Sequence, residues 1–452
     1  LDFYPVPSDD EVMTRTEASA LSDVRGTVHH RGDEDLLGEL AGFQTADPHR
    51  PDVVVGARDA HDVVTAVRWA AAHDLPVAVQ ATGHGHTTGL GGGVVVTTGR
   101  MRGVRVDPAS RTARVEAGAR SVDLVAAAAE HGLAPVSGSF PGVGVVGYTL
   151  GGGLGLLGRE HGWASDHLSA AEIVTGDGVL RRVGPGDELF AALRGGRPGV
   201  GVVTALSVGL VPVSTVVGGG LFLDAADADR VLPVVRRIGA QAPESLGLSL
   251  GVVGVPDLDL VPPPIRGRTV LHVRLVDTDG AAARAAEVAL RAAAPVLLGE
   301  LAELPWTASG SIFGEPETPH AYEGTNAVVA ELSDDALTGV VAAARAAAVG
   351  CVVDVRRLGG ALSRPAEGAD AVSWREAGWI VRVLSSTAGV PTAVVRAAHA
   401  AVLAPVEGVR LGRMAGFVYG AAPAGPDEVH APRVRALLAR VQAAYGPDRV
   451  VA

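Results

Sequence analysis

A histidine with glycine on either side, Gly83-His84-Gly85, is followed at once by His86 inside the run Gln80-Ala81-Thr82-Gly83-His84-Gly85-His86-Thr87-Thr88-Gly89. Glycine lets backbone close tightly around a phosphate or a flat ring, and an imidazole at the same spot supplies a nucleophile. A second glycine-dense stretch runs from Pro141 to Gly158. Further on, Asp354-Val355-Arg356 reads as strand, with alternation placing the carboxylate and the guanidinium on one face and Val353 and Val355 on the other.

Several chemistries are open to these residues. Gly142-Val143-Gly144-Val145-Val146-Gly147 matches G-x-G-x-x-G and Asp166 follows at a dinucleotide-like distance, but residues 135–141 make a poor strand and glycines continue where a helix should pack. His84 and His86 could face one metal from alternate positions, yet no further ligands stand at a recognised spacing, and none is expected. A glycine-rich loop with a histidine bonded to backbone is the plainest reading. The two clusters taken together suggest a flavin site.

Composition narrows the field. The formal charge is −12 over 452 residues, with no basic block, which argues against DNA or RNA as a partner and for a small substrate. All 38 basic residues are arginine, so neither a pyridoxal Schiff base nor a P-loop lysine can form. The single cysteine, Cys351, rules out internal disulfides and thiolate clusters and is compatible with a reducing cytoplasm. The excess of alanine, glycine, valine and arginine matches the codon usage of a GC-rich bacterial genome. The uncharged stretch 132–158 is long enough to span a bilayer, but two prolines and ten glycines fit buried loop, not a membrane helix. No secretory leader is visible at Leu1-Asp2-Phe3-Tyr4, and the start at Leu1 leaves a removed leader open.

The positioning elements follow from periodicity. A strand at 52–56, a helix at 61–73 and a strand at 76–80 deliver the chain into the glycine-histidine loop, as a βαβ unit delivers a ligand loop. Hairpins are expected around 107–110 and 176–178, with a helix at 121–131 between them. The pattern changes near 211–216. Beyond it, helices at 230–238 and 281–293 and strands at 246–253, 270–276, 327–331, 352–357 and 380–384 read as α+β, an antiparallel sheet backed by helices. In Leu246-Gly247-Leu248-Ser249-Leu250-Gly251 the face opposite the leucines is small, suggesting room for a bulky apolar or polyketide-like substrate. A last helix at 433–445 is expected to return to the first part.

Residue for residue, the chain resembles the FAD-linked oxidases of the vanillyl-alcohol oxidase superfamily, with a p-cresol-methylhydroxylase-type FAD domain, in the berberine-bridge-enzyme-like branch. The blocks are Pro51-Asp52-Val53-Val54-Val55, Gly83-His84, the run from Pro141 through Tyr148 to Gly155, and Glu188-Leu189-Phe190 continuing to Thr204, with an echo at Ala444-Tyr445-Gly446-Pro447-Asp448. The resemblance implies a two-part FAD-binding domain over 1–212 (core 51–212), an α+β substrate domain with an antiparallel sheet over 213–409, and a segment 410–452 returning to the FAD domain. It implies FAD joined through His84 to its 8-methyl carbon, which becomes electrophilic on losing a proton and is open to a neutral imidazole. Many relatives add a cysteine link just before the Pro-x-Val-Gly block; Phe140 stands there, so a single link is expected.

The resemblance also distributes roles. Backbone of Thr82, Gly83, Gly85 and His86 would cradle the pyrophosphate, Gly142, Gly144, Gly147, Gly151 and Gly152 would admit the cofactor closely, and Ser139, Thr149, Gly201, Val203 and Tyr419 would complete its contacts. Tyr148 would lie beside the ring, under a roof made by the second domain. A similar flavoprotein, the enterocin Favorskiiase, uses an acidic base ahead of Leu-Gly-Gly. Here Asp354 and Arg356 precede Leu358-Gly359-Gly360, with aspartate where glutamate is expected, so a base and a cross-strand ion pair are both open. Tyr322, His320, Asn326 and Trp374 are further candidates, most of them structural. The implied activity is hydride removal from an activated carbon with dioxygen as acceptor. Alternatives are an oxygenase tailoring a polyketide-like secondary metabolite and an FAD-binding scaffold without turnover. The expected partners are a small molecule and dioxygen, without nucleic acid or membrane, for a cytoplasmic protein that a homodimer would also suit.

Overall fold

The computed structural model describes residues 21–420, 424–446 and 450–451; the first twenty residues of the implied FAD domain, and Pro447-Asp448 of the closing echo, lie outside the described residues. The chain begins with β1 (Thr27–His30), α1 (Leu36–Glu39), β2 (Val53–Gly56), α2 (Ala60–Ala72), β3 (Val77–Gln80) and β4 (Val94–Thr97). Valine runs buried on both faces suit parallel pairing, and β2, β4 and β3 pair in parallel, with β1 antiparallel at the edge. The Asp59 carboxylate accepts from the His61 and Asp62 amides and starts α2, whose Val63, Ala66, Val67 and Ala70 bury against this sheet.

A second sheet follows: the hairpin β5 (Val104–Asp107) and β6 (Thr112–Glu116), then α3 (Ser121–Ala129), α4 (Val145–Leu150), α5 (Gly158–His161), the hairpin β7 (Leu168–Thr175) and β8 (Leu180–Val183), α6 (Glu188–Leu193) and β9 (Gly201–Gly209). Its order is β5-β6-β9-β7-β8, antiparallel throughout. Leu124 of α3, Val145 and Val146 of α4 and Leu189 of α6 close its core.

The third sheet is the largest. It comprises β10 (Thr215–Asp224), α7 (Ala228–Gln241), β11 (Leu246–Gly254), β12 (Thr269–Asp277), α8 (Ala281–Ala293), β13 (Val296–Leu298), β14 (Leu301–Pro305), β15 (Tyr322–Val329), α9 (Asp334–Ala346), β16 (Val352–Arg357), β17 (Trp379–Ser386), α10 (Thr392–Glu407) and β18 (Arg410–Gly412). Strand order is β13-β10-β12-β11-β16-β17-β15-β18, antiparallel, with β14 also on β10. Leu248, Leu250, Val273, Val355 and Val381 turn one face onto the four helices, burying Val231, Leu290, Leu337 and Val402. The opposite face looks toward the glycine block.

The chain then leaves this sheet. After α11 (Pro426–Val429), helix α12 (Pro432–Tyr445) buries Val434, Leu437, Leu438 and Val441 in the core of the second sheet, and β19 (Val450–Val451) pairs in parallel with β3. The large sheet runs on to Gly412, slightly past the boundary expected at 409. Among the described residues no helix is long and apolar enough to cross a membrane.

Candidate active site

The glycine-histidine loop leaves the end of β3. Gly83 has φ +73, and a Cβ there would come within 2.8 Å of Gly42 Cα, so glycine alone lets the segment before Thr45 lie alongside. Phe43 N–H donates to Thr82 O at 2.9 Å and Gln44 N–H to Gly83 O at 3.3 Å. This pairing lays the Phe43 ring on His84, centroids 4.0 Å apart and 13° from parallel, while Phe140 closes in at 5.1 Å. Tyr322 Oη reaches across from β15 to donate to His84 O at 2.8 Å.

His84 itself is poised. Its Nδ1 lies 2.9 Å from Thr82 Oγ1, whereas Nε2 is buried without a partner. Burial, aided by Arg120 and His320, lowers its pKa to about 4, leaving a neutral imidazole at physiological pH. His86 turns elsewhere, its Nε2 2.6 Å from Asp47 O, so the two rings do not converge on one ion. Among the described residues, the amides of Thr82, Gly83, His84 and Gly85 find no acceptor on the chain, and His86 N–H has only a long bond to Gly83 O, 3.4 Å.

The second glycine cluster meets the first. No strand precedes Gly142, and α4 has six residues, so the dinucleotide-type reading lacks its framework. A Cβ at Gly144 would sit 3.6 Å from Ala81 Cβ. Arg197, which the sequence reading missed, lies between the clusters: its Nη2 is 2.8 Å from the Cβ position of Gly151 and 3.8 Å from that of Gly85, and it donates to Gly147 O at 3.3 Å. Gly152 (φ +95) packs on Trp163, Gly142 on Phe140, and Thr149 is buried on α4. An unpartnered buried nitrogen, a row of free amides and one guanidinium between abutting glycines suit the ring and pyrophosphate of FAD.

The remaining candidates fall into two groups. Tyr148 is wedged between Gly138 and Gly153, its Oη donating to Val136 O at 3.2 Å; burial raises its pKa and keeps it a neutral phenol, with Arg356 pulling the other way. Tyr419 pairs through backbone with Gly324 and meets Tyr322 edge to face at 5.5 Å. By contrast Ser139 donates to the Glu315 carboxylate at 3.2 Å, Asn326 ties down Met414 and Phe417 backbone, and Gly201 and Val203 lie within β9, Val203 in the core that carries α4. His320 stands 5.4 Å from Phe43, and Trp374 packs over Gly412.

Asp354 and Arg356 share a face, and the aspartate collects three guanidiniums. Arg356 Nε lies at 2.6 Å, Arg274 Nη2 at 2.9 Å and Arg382 Nη1 at 3.2 Å. Burial alone would raise the Asp354 pKa; Arg356, Arg274 and Arg382 outweigh it and hold the carboxyl well below the usual carboxylate range. Arg274 and Arg382 carry no motif, because a lone arginine in a strand reads as a solvent face. The room expected opposite the leucines is taken up at two of its three positions, since a Cβ at Gly251 would lie 2.7 Å from Arg274 Nη2 and one at Gly247 2.7 Å from Val276 Cγ1; between them Ser249 lines a small cavity with Arg274 and Arg356. The two glycines make way for side chains, and the cavity left at Ser249 is lined by arginines and does not suit a bulky apolar substrate.

Three further buried histidines, His49 beside the loop and His272 and His399 away from it, set a pH limit. Burial lowers His49 and His399 to about 4 and His272 to about 3. Their neighbours are His86 and Asp47 for His49, Arg274 and Asp354 for His272, and Glu323 for His399, which also contacts Ser385. Between pH 6.5 and 4 the unfolded chain binds these protons and the folded chain does not, so stability rises with pH and is lost on acidification. The expected loss is of the order of 3 kcal/mol per histidine at pH 4. Urea midpoints at pH 7, 6, 5 and 4.5 check this, and a flat profile refutes it.

Comparison with known proteins agrees with this geometry. An FAD binding domain family matches residues 51–184. The chain is 39% identical over 166 residues to (R)-6-hydroxynicotine oxidase of Paenarthrobacter nicotinovorans, covering 36% of each protein, and 34% identical over 187 residues to an FAD-dependent monooxygenase of Fusarium proliferatum, covering 40% of this chain and 36% of that one. These matches span little more than a third of the relatives' length. The crystal structure of 6-hydroxy-D-nicotine oxidase from Arthrobacter nicotinovorans superposes with TM-score 0.79 at 24% identity over 95% of this chain and 96% of that one, which extends the shared fold to nearly the whole molecule. Residues 51–184 thus carry the match to an FAD binding domain, and nearly the whole chain shares the fold of the 6-hydroxy-D-nicotine oxidase structure.

Proposed function

We propose that the protein is an FAD-dependent oxidase that carries its flavin on His84 and removes a hydride from an activated carbon of a small organic molecule, with dioxygen as acceptor. The observation that carries this reading is the buried, unpartnered Nε2 of a neutral His84, stacked on Phe43 in a loop whose amides find no acceptor among the described residues. Phe140 occupies the approach from the other cluster and offers no nucleophile, which supports a single link. When bound, FAD supplies the two-electron acceptor and returns the electrons to dioxygen as peroxide. The chain's part is positional. Loop amides and Arg197 hold the anionic end, the Phe43 stack fixes the His84 ring, and the sheet's face with Tyr148 orients substrate.

Held well below the usual carboxylate range, Asp354 is a poor proton acceptor, so its proposed part is to hold Arg356 and its neighbours in place. Anaerobic mixing with alcohols, sugars, phenolics and cyclic amines is expected to bleach the flavin spectrum with at least one class, and peroxide to appear when air is admitted. No bleaching across that panel refutes the oxidase reading. The monooxygenase among the relatives favours a second reading, in which oxygen enters the product; labelled dioxygen separates the two, because label in the product speaks for the oxygenase and peroxide alone against it.

A further inference from the structure

Three adjacent antiparallel strands put Arg274, Ser249 and Arg356 in one row, because Ser249 of β11 is the register partner of both Arg274 on β12 and Arg356 on β16. All three are more than nine-tenths buried. Each also holds a polar atom that finds no partner among the described residues: Arg274 Nε, Ser249 Oγ and Arg356 Nη2. They share one cavity, walled on the flavin-domain side by Leu154 and Leu156. The Phe313 ring lies under both guanidiniums, 4.2 Å from Arg274 Cζ and 4.6 Å from Arg356 Cζ, and holds them flat.

Charge does not balance here. Arg274, Arg356 and Arg382 share the single carboxylate of Asp354, and Glu315 is the other acid close enough to act on Arg274 and Arg382. Three cations against two anions leave one positive charge within the row itself. The two arginines on the far wall of the cavity give donors to backbone, Arg159 to Leu246 O and Ala242 O and Arg357 to Gly239 O and Gly378 O, and their charges add to the positive field of the cavity. Buried donors with no acceptor are costly, and arginine forks match planar oxyanions.

We infer that this cavity anchors the carboxylate of a small organic acid, the two free guanidinium N–H groups and the Ser249 hydroxyl donating to its oxygens while the apolar remainder lies against Leu154 and Leu156. The inference rests on the oxidoreductase reading and narrows its substrate to a carboxylic acid. The apolar wall of Leu154 and Leu156 suits a carboxylate with a hydrocarbon remainder better than a phosphate, whose further oxygens would find no partner there.

The test uses the flavin-loaded protein with benzoate, phenylacetate and hexanoate, each against its primary amide, and with inorganic phosphate. Thermal midpoint and the flavin absorbance difference spectrum are read. At least one carboxylate is expected to bind saturably and about tenfold or more tighter than its amide. Ser249→Ala, which leaves every ion pair intact, is expected to weaken that carboxylate several-fold and leave the amide unchanged; Arg356→Gln is expected to abolish the preference. Equal binding of acid and amide, no binding of any carboxylate, tighter binding of phosphate, or an indifferent Ser249→Ala variant overturns the inference. Failure of the oxidoreductase reading is distinguishable, since it shows as a colourless protein before any acid is added, and the thermal midpoint still reports on the cavity.

Discussion

Replacing His84 with alanine is expected to give a folded protein whose yellow colour washes out on acid precipitation and whose intact mass lacks the excess of one flavin that the parent carries. Alanine removes the nucleophile and leaves the cradle. The bond from Tyr322 Oη goes to the backbone carbonyl of residue 84, and the pairing of Phe43 and Gln44 with the loop is likewise backbone to backbone, so neither depends on the imidazole. Losing the stacked ring costs about 1 kcal/mol, far below what would unfold the domain. Flavin should therefore still bind, reversibly. Phe140→Ala is the control, and its covalent flavin content should match the parent. A His84→Ala protein that retains acid-stable flavin would move the link to another residue and end the assignment.

Asp354→Asn is expected to cost about 3–5 kcal/mol of stability, since it strips the counter-charge from three guanidiniums that cannot reach bulk water. Urea denaturation at pH 7 measures it. A catalytic base would behave differently: the variant would keep the parent's midpoint and lose turnover along with the acidic limb of its pH–rate profile. Because the folded carboxyl is held below its unfolded value, its stabilising share is present above the unfolded pKa near 3.9 and is lost only as pH falls beneath that. Losses between pH 6.5 and 5 therefore belong to the buried histidines, and in stronger acid Asp354 loses its share together with other ion-paired carboxylates such as Asp177 and Glu172.

The sequence made parts of this molecule legible for physical reasons. Hairpins β5-β6 and β7-β8 announced themselves by alternation and tight turns, and α8 by alanine-rich periodicity, ending where it was expected. Strand β4 was hidden: Val94-Val95-Val96-Thr97 follows three glycines and, being buried on both faces, shows no alternation. Helices α9 and α10 were missed because runs of alanine and valine carry little contrast between faces. At the site, glycine spacing exposed His84 and its loop, since only glycine tolerates that backbone. Phe43 left no trace, because it arrives from forty residues upstream through main-chain pairing that any side chain could make. The arginine row was equally silent: its meaning lies in the register of three strands far apart in sequence, which spacing along one strand cannot convey.

Helix α12 has a bearing on how the molecule comes into being. It fills the hydrophobic floor beneath α4 only after the ribosome has made the entire large sheet, and β19 then zips onto β3 beside the loop that bears His84. A nascent chain therefore carries its cofactor loop early but completes the floor under it late. With the flavin proposed on His84, attachment is expected only in chains whose synthesis has run past this helix.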